Sequence, residues 1–138
     1  MAINQTLTTS FKKEVFQAVH DFDTDVFKLA LYTANATLGP DTVVYGTLNE
    51  VSGTGYTAGG QVLTGVGVSQ SGSTVFITFD NAVWDPATFT VRGALIYNSS
   101  KGDKAVAVLD FGADKSPTTL FTVQMPPNTA TTALIRFP

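Results

Sequence analysis

The stretch DVFKLALYTANATLGPDTVVYGTLNEVSGTGYTAGGQVLTG, residues 25–65, decides the fold class. It contains two strand patterns, Val26–Thr33 and Val43–Asn49, joined and followed by connections rich in glycine, threonine and asparagine. A Gly-Pro pair breaks regular structure within Asn35–Asp41. Ser52–Gly60 has four glycines in nine residues, a density that a helix tolerates only at high cost. These features predict a β surface with two long connections, and they favour binding or assembly over catalysis.

Strand patterns continue to the end of the chain, and one helix precedes them. Residues 10–20 carry apolar side chains at spacings of three and four, which predicts a short helix capped by Thr9 or Ser10. Residues 1–9 read as an extended arm. The eight predicted strands are Val26–Thr33, Val43–Asn49, Gln61–Ser69, Thr74–Asp80, Phe89–Tyr97, Lys104–Phe111, Thr119–Gln124 and Thr132–Phe137. We therefore predict one all-β domain over residues 1–138, an eight-stranded jelly-roll-like β-sandwich with one short N-terminal helix.

The composition indicates a surface that other subunits cover. Charged residues make up 14% of the 138 residues, against about a quarter in ordinary domains. Threonine replaces much of the missing charge, with 21 copies, and its β-branch suits half-exposed strands. Because surface charge keeps free proteins apart, a weakly charged surface is unfavourable for a monomer.

Charge and cysteine content exclude several functions. The net charge is −3 and the eight basic residues are scattered, whereas nucleic-acid binding needs clustered Lys and Arg. With no cysteine, thiol nucleophiles, thiolate zinc sites and disulfides are impossible. No apolar signal core or membrane-spanning window is present. We expect a soluble protein made in a cytoplasm, with neither nucleic acid nor membrane as a partner.

Motifs that resemble catalytic or ligand sites lack the parts they need. Asp21, Asp23 and Asp25 alternate and would share one face if extended, so they either hold a hard cation or form a solvated helix exit. The sequence Gly53–Ala58 matches the dinucleotide pattern G-x-G-x-x-A, but no helix pattern follows it to bind a pyrophosphate. His20 is the only histidine, and we expect it to cap the helix rather than catalyse. We therefore predict no enzyme, cofactor or metal.

The aromatic residues allow two interpretations. Trp84 lies at a strand-to-turn boundary, where it would close one end of the sandwich. Alternatively, Trp84, Tyr56 and Tyr97 would be exposed platforms of a carbohydrate-binding or fibre-tip jelly roll. In the first interpretation Tyr56 anchors the glycine-rich connection.

Three segments resemble small capsid decoration (cement) proteins of tailed bacteriophages. They are ALYTANATLGPDTVVYGTLNEVSGTGYTAGGQVLTG, VWDPATFTVRGALIYN and KAVAVLDFGADKS, which together cover most of residues 25–116. The resemblance implies a structural virion protein, a jelly-roll homotrimer bound between capsomers of the major capsid protein. It also implies that the protein is made in the host cytoplasm and lies on the capsid surface.

Contact residues follow from the assembly expectation. The arm would cross to a neighbour and become ordered on binding, and the loops Asn35–Asp41 and Ser52–Gly60 would touch neighbouring subunits. Arg92 and Arg136, rare charges within strand patterns, are candidates for pairing between subunits. The interface candidates are Ile3, Asn4, Leu7, Leu38, Pro40, Tyr56, Arg92 and Arg136.

Overall fold

The computed structural model describes residues 2–137 and is built around a five-stranded antiparallel sheet. One α-helix and one 3-10 turn, Ser99–Lys101, accompany the strands in these residues. The helix α1 spans Thr9–Phe16. The strands are β1 Thr6–Leu7, β2 Phe27–Tyr32, β3 Gln61–Val62, β4 Gly67–Ser71, β5 Thr74–Thr78, β6 Ala82–Trp84, β7 Val91–Asn98, β8 Lys104–Lys115, β9 Phe121–Val123 and β10 Ile135–Phe137.

Three antiparallel sheets make up the β structure. The large sheet has the order β1-β8-β7-β2-β3, and two smaller sheets have the orders β10-β5-β4 and β6-β9. The main core joins them, since it contains Leu29 and Ile96 from the large sheet, Ile135 from the second and Trp84 from the third. The prediction of an all-β fold with one helix is confirmed, and the arrangement is that of a β-sandwich. The predicted count of eight strands is wrong, because residues 2–137 contain ten.

The large sheet is buried on both faces. Leu29 and Leu31 of β2 face the main core, while Ala30 and Tyr32 face a second apolar cluster on the opposite side. Residues of the arm and of the segment 35–51 cover that second face, including Leu38. Alternate side chains of a strand point to opposite faces, so burial of both faces requires an uninterrupted apolar run. This is why β2 reads as a buried strand in the sequence.

The helix begins and ends earlier than its pattern predicts. Its N-cap is Thr8, not Thr9 or Ser10, because the buried Thr8 hydroxyl accepts the Phe11 N–H at 3.2 Å. At the other end Ala18 has a φ of 58°, and the Val19 N–H reaches the Glu14 carbonyl at 3.1 Å. Together with the Ala18 N–H bond to the Val15 carbonyl, this forms a Schellman cap. The left-handed residue ends the helix before residue 20.

The arm belongs to its own chain. Asn4 donates to the Leu38 carbonyl at 2.8 Å, and Leu38 donates to the Ala2 carbonyl at 3.0 Å. Thr6 and Leu7 pair with β8. Residues 2–9 are therefore ordered by contacts within their own chain, and the expectation that the arm reaches a neighbouring subunit stays a prediction; Met1 lies outside the described residues.

Two predicted strands are also corrected. Residues 43–49 form no strand, and their only bridge joins Val44 to Lys104. Leu48 and Asn49 form a turn, in which Asn49 has a φ of 61°, and the rest of the segment lies over the second face of the large sheet, where only Val44 has a bridge partner. The predicted strand Gln61–Ser69 is divided into β3 and β4, because Gly65 adopts a φ of 64° between them.

Candidate functional site

Several exposed apolar side chains lie on the segment 35–49 and line one groove. Val43, Val44 and Leu48 are 57%, 52% and 82% exposed. With Pro40 they line a groove of about 610 Å³, which the arm residues Ala2 and Asn4 also line. We call the exposed side chains of Pro40, Val43, Val44 and Leu48 the apolar surface.

Backbone hydrogen bonds hold the apolar surface to the fold at several points. Ala105 donates to the Val43 carbonyl at 3.0 Å, and Tyr45 donates to the Asp103 carbonyl at 2.9 Å. A turn forms at Gly39–Thr42, where the Gly39 N–H bonds to the Thr42 hydroxyl at 3.0 Å. These bonds use the inward-facing backbone groups of the segment. Its valines and Leu48 are thereby left facing solvent.

A cluster of Glu50 and all four tyrosines holds the segment 35–49 to the rest of the fold. The Glu50 carboxylate accepts hydrogen bonds from the hydroxyls of Tyr45, at 2.7 Å, and Tyr56, and from the Gly59 N–H at 2.8 Å. Tyr97 donates to the Gly59 carbonyl at 2.6 Å, and Tyr32 donates to the Gly46 carbonyl at 2.7 Å. We call Glu50 and the four tyrosines the tyrosine network.

Burial keeps the tyrosine network in its donor state. Desolvation is the largest influence on each phenol and raises its pKa, and the nearby Glu50 charge adds to the effect. The pKa of Tyr97 rises to about 12, and those of Tyr32, Tyr45 and Tyr56 rise as well. All four hydroxyls therefore stay protonated at neutral pH and act as donors. The network is a structural clamp, in which the four phenols donate and the Glu50 carboxylate accepts.

The glycine-rich connection Ser52–Gly60 is packed against the sandwich. Tyr56 accepts the Leu31 N–H at 3.0 Å, which confirms its predicted role as an anchor. Gly60 has a φ of 79°, and a Cβ there would overlap the Leu29 carbonyl. The connection requires glycine at this position because two backbone segments approach closely. It is followed by the strand β3 and not by a helix that could bind a phosphate.

A second polar network connects the helix to the end of the large sheet. The His20 side chain is fully buried and contacts Glu14 at 2.9 Å and Asn98 at 3.0 Å. Asn98 also donates to Asp25 at 2.7 Å, and Lys101 pairs with Asp25 at 2.8 Å. The expectation that His20 caps the helix carbonyls is wrong, because both ring nitrogens bond to side chains.

The three aspartates at the helix exit have other partners. Phe22–Thr24 is a turn, so the extended arrangement needed for one shared carboxylate face is not formed. Asp25 accepts from Lys101, and Asp21 accepts the Asp23 N–H at 2.9 Å. Desolvation opposes ionisation of Asp25, but the bonds from Lys101, Asn98 and the Asp21 N–H outweigh it and lower its pKa to about 2. Within residues 2–137 no group of three potential metal ligands comes together.

The interface candidates divide into two groups. Asn4 and Pro40 are exposed at the groove, and Arg136 is exposed with a long contact of 3.4 Å to the Ala130 carbonyl. The remaining candidates are engaged within their own chain. Ile3 and Leu38 are each only 7% exposed, Leu7 and Tyr56 are half-buried, and Arg92 pairs with Asp110 at 3.1 Å. The role of Ile3, Leu38 and Arg92 at an interface between subunits stays a prediction.

The aromatic platform interpretation is also corrected. Trp84 and Tyr97 are each 2% exposed, so neither indole nor phenol can stack on a sugar ring. Trp84 packs beside Phe121 and Tyr56 at ring distances of 6.0 and 6.3 Å. Its predicted role as a buried plug is confirmed.

Sequence reasoning missed Val43, Val44, Leu48 and Glu50. The valines read as a strand, and their exposure depends on a segment that crosses the sheet face. For Glu50 a signal exists, because it is the only charged residue between Asp41 and Asp80. A lone charge in so long a neutral stretch indicates a specific partner.

Comparisons of the chain with protein-family models, with curated proteins and with solved structures give no significant match. Family membership therefore stays a prediction from the resemblance of the residues. Within residues 2–137, the α-helix Thr9–Phe16 is too short and too polar to cross a bilayer.

Proposed function

We propose that the chain is a structural virion protein that decorates and stabilises a tailed-bacteriophage capsid. In this proposal it is a cement protein whose sandwich is a jelly roll, with the large sheet as one layer and the smaller sheets as the other. It is made in the host cytoplasm and binds on the capsid surface between capsomers of the major capsid protein, as a homotrimer. The sequence resemblance over residues 25–116 supports this class.

One observation carries the proposal: the apolar surface is exposed, nearly neutral and held in place. Asp41 is the only charged residue in the segment 35–49, and Leu48 is 82% exposed. Because few charges lose water there, contact with another protein costs little desolvation. Because the tyrosine network already orders the segment, binding also costs little conformational entropy. Many weak contacts of this kind, summed over a shell, suit a clamp.

Leu48→Asp tests the surface, with Leu120→Asp as the matched control. Leu120 is 52% exposed and lies outside the apolar surface. The probe is co-sedimentation with expanded phage shells that lack a decoration protein. We expect the wild type and Leu120→Asp to sediment with shells and Leu48→Asp to stay in the supernatant. Wild-type protein that stays in the supernatant contradicts the proposal, and equal binding by all three proteins contradicts the assignment of the surface.

A further inference from the structure

The hairpin β4–β5 is built from an uncharged part of the chain. No charged residue occurs in the 19 residues from Gln61 to Phe79. The strand β4 ends its sheet, whose order is β10-β5-β4, so within residues 2–137 one edge of β4 has no neighbouring strand. Exposed edges of natural proteins are normally protected by Lys, Pro or a bulge, and β4 has none of these in the register Gly67–Ser71.

The register identifies which backbone groups the open edge presents. Ser71 pairs with Thr74 across a two-residue loop, and Gly72, with a φ of 59°, suits its first position. The closing pair of such a hairpin is hydrogen-bonded, and bonded and non-bonded pairs alternate along an antiparallel ladder. Ser69 therefore directs its N–H and C=O toward β5. Val68 and Gln70 direct theirs outward, to the open edge.

Exposed apolar side chains accompany this edge. Val66, Val68 and Val75 are 38%, 52% and 39% exposed, and Phe137, which pairs with Val75, is 41% exposed. An uncharged edge with valines beside it is a template for strand addition.

We propose that the β4 edge pairs with the β4 edge of a second copy of this chain. An antiparallel twofold contact centred on Ser69 places Val68 opposite Gln70 of the partner subunit, and Gln70 opposite the partner's Val68. Each of these two pairs exchanges two N–H···O bonds, and the two small sheets become one six-stranded sheet. A charged edge paired with itself would oppose like charges. The neutral β4 edge is free of that penalty, which favours a second copy as the occupant.

This twofold contact goes beyond the proposed function, since a homotrimer needs only a threefold contact. The number of chains in solution separates the two proposals. Two chains support the edge contact alone, three chains support the trimer alone, and six chains in dihedral symmetry support both.

Gln70→Pro and Ser69→Pro form the test pair. Proline is tolerated on an edge strand where the lost N–H faces outward, so the backbone donor that Gln70→Pro removes is one to the second copy. The substitution also removes the Gln70 side-chain bond to the Gly72 carbonyl at 3.1 Å, and Gln70→Ala, which removes that bond alone, is the matched control. Ser69→Pro instead removes a bond to β5 and serves as the folding control. Masses are measured by light scattering over a concentration series up to about 1 mM, a range that reaches weak contacts. We expect an even number of chains for the wild type and half that mass for Gln70→Pro.

Amide hydrogen exchange gives a second readout that needs no variant. The amides of Val68 and Gln70 should become protected as concentration rises, while that of Ser69 is protected throughout. If Gln70→Pro fails to fold, Val68→Lys replaces it, with Val62→Lys as the control because Val68 and Val62 are 52% and 54% exposed and Val62 lies outside both proposed surfaces. A wild type with an odd number of chains, or rapid exchange at Gln70 at every concentration, overturns the proposal.

Discussion

Replacing Glu50 by alanine should destabilise the fold more than any other single loss of an exposed or half-buried carboxylate. The substitution leaves the hydroxyls of Tyr45 and Tyr56 and the N–H of Gly59 without their acceptor. These donors hold the segment 45–60 against the large sheet. The change therefore acts on the attachment of that segment, and the strands themselves keep their partners.

The size of the effect follows from the number of donors. A hydrogen bond to a charged group contributes about 1.5–3 kcal/mol when desolvated. Glu50 is half-buried and the two hydroxyls can turn toward water, so about 1 kcal/mol for each of the three bonds is the better value. The expected loss is about 3 kcal/mol, a large part of a typical stability of about 5–15 kcal/mol.

Urea unfolding followed by the fluorescence of Trp84 measures this loss. Trp84 is the only tryptophan, and it is buried 6.3 Å from the Tyr56 ring. At a slope of about 1.5 kcal/mol per molar urea, the midpoint should fall by about 2 M. Asp114→Ala, which removes an exposed carboxylate, should change stability by less than about 0.5 kcal/mol.

A double-mutant cycle tests the reasoning itself. If Tyr56 acts through Glu50, then Tyr56→Phe should cost clearly less in the Glu50→Ala background than in the wild type. Additive effects of the two substitutions, or a loss below about 1 kcal/mol for Glu50→Ala, would refute the clamp.

Three further predictions concern other parts of the chain. The pKa of Asp25 is lowered from 3.8 to about 2, so the stabilisation of the fold by this carboxylate is complete above about pH 4 and is lost as the pH falls through about 2. Because Lys101 is partly exposed, the expected effect is reduced to about 1–2 kcal/mol. Over that interval an acid titration of the free energy of unfolding should show the wild type losing this much more than Asp25→Ala. The Ser100 N–H donates to the side-chain carbonyl oxygen of Asn98 at 3.0 Å, which leaves the Asn98 side-chain NH2 group to donate to Nδ1 of His20. Nitrogen NMR should therefore find the His20 proton on Nε2, and a proton on Nδ1 contradicts the network. Gly60→Ala should cost at least about 3 kcal/mol because its Cβ meets the Leu29 carbonyl, whereas Gly72→Ala, also at positive φ but in open space, should cost about 1 kcal/mol; equal melting temperatures would count against the close approach.

Local patterns predicted β2 well because burial of both faces left a continuous apolar run. The pattern predicts a buried strand over Val26–Thr33, and β2 spans Phe27–Tyr32. The helix is predictable for a similar reason, since Phe11 and Val15 face the core at helical spacing. The pattern extends the helix too far because Ala18 ends it in a left-handed conformation that glycine usually adopts. In each case a local period predicted the element, and a single residue decided its boundary.

The segment 43–49 shows where local patterns stop being informative. Its residues favour extended backbone, but Leu48 and Asn49 form a turn, and a strand also needs a neighbour at hydrogen-bonding distance. The segment covers a sheet face instead, held there by the distant residues Ala105 and Asp103. Because those contacts join residues about 60 positions apart, no short window contains them. The exposure of Val43 and Val44, and with it the candidate site, was unpredictable for that reason.

The same contacts explain why a loop can serve as a binding surface in the proposed function. A free loop of this length would lose about 1–2 kcal/mol of backbone entropy for each residue that becomes ordered on binding. The folding of the domain has already ordered residues 43–50 through Glu50, Ala105 and Asp103. Binding a shell then requires only contact between Leu48 and its apolar neighbours and the partner. Loosening the clamp with Glu50→Ala should therefore weaken shell binding although Glu50 itself is turned away from the apolar surface.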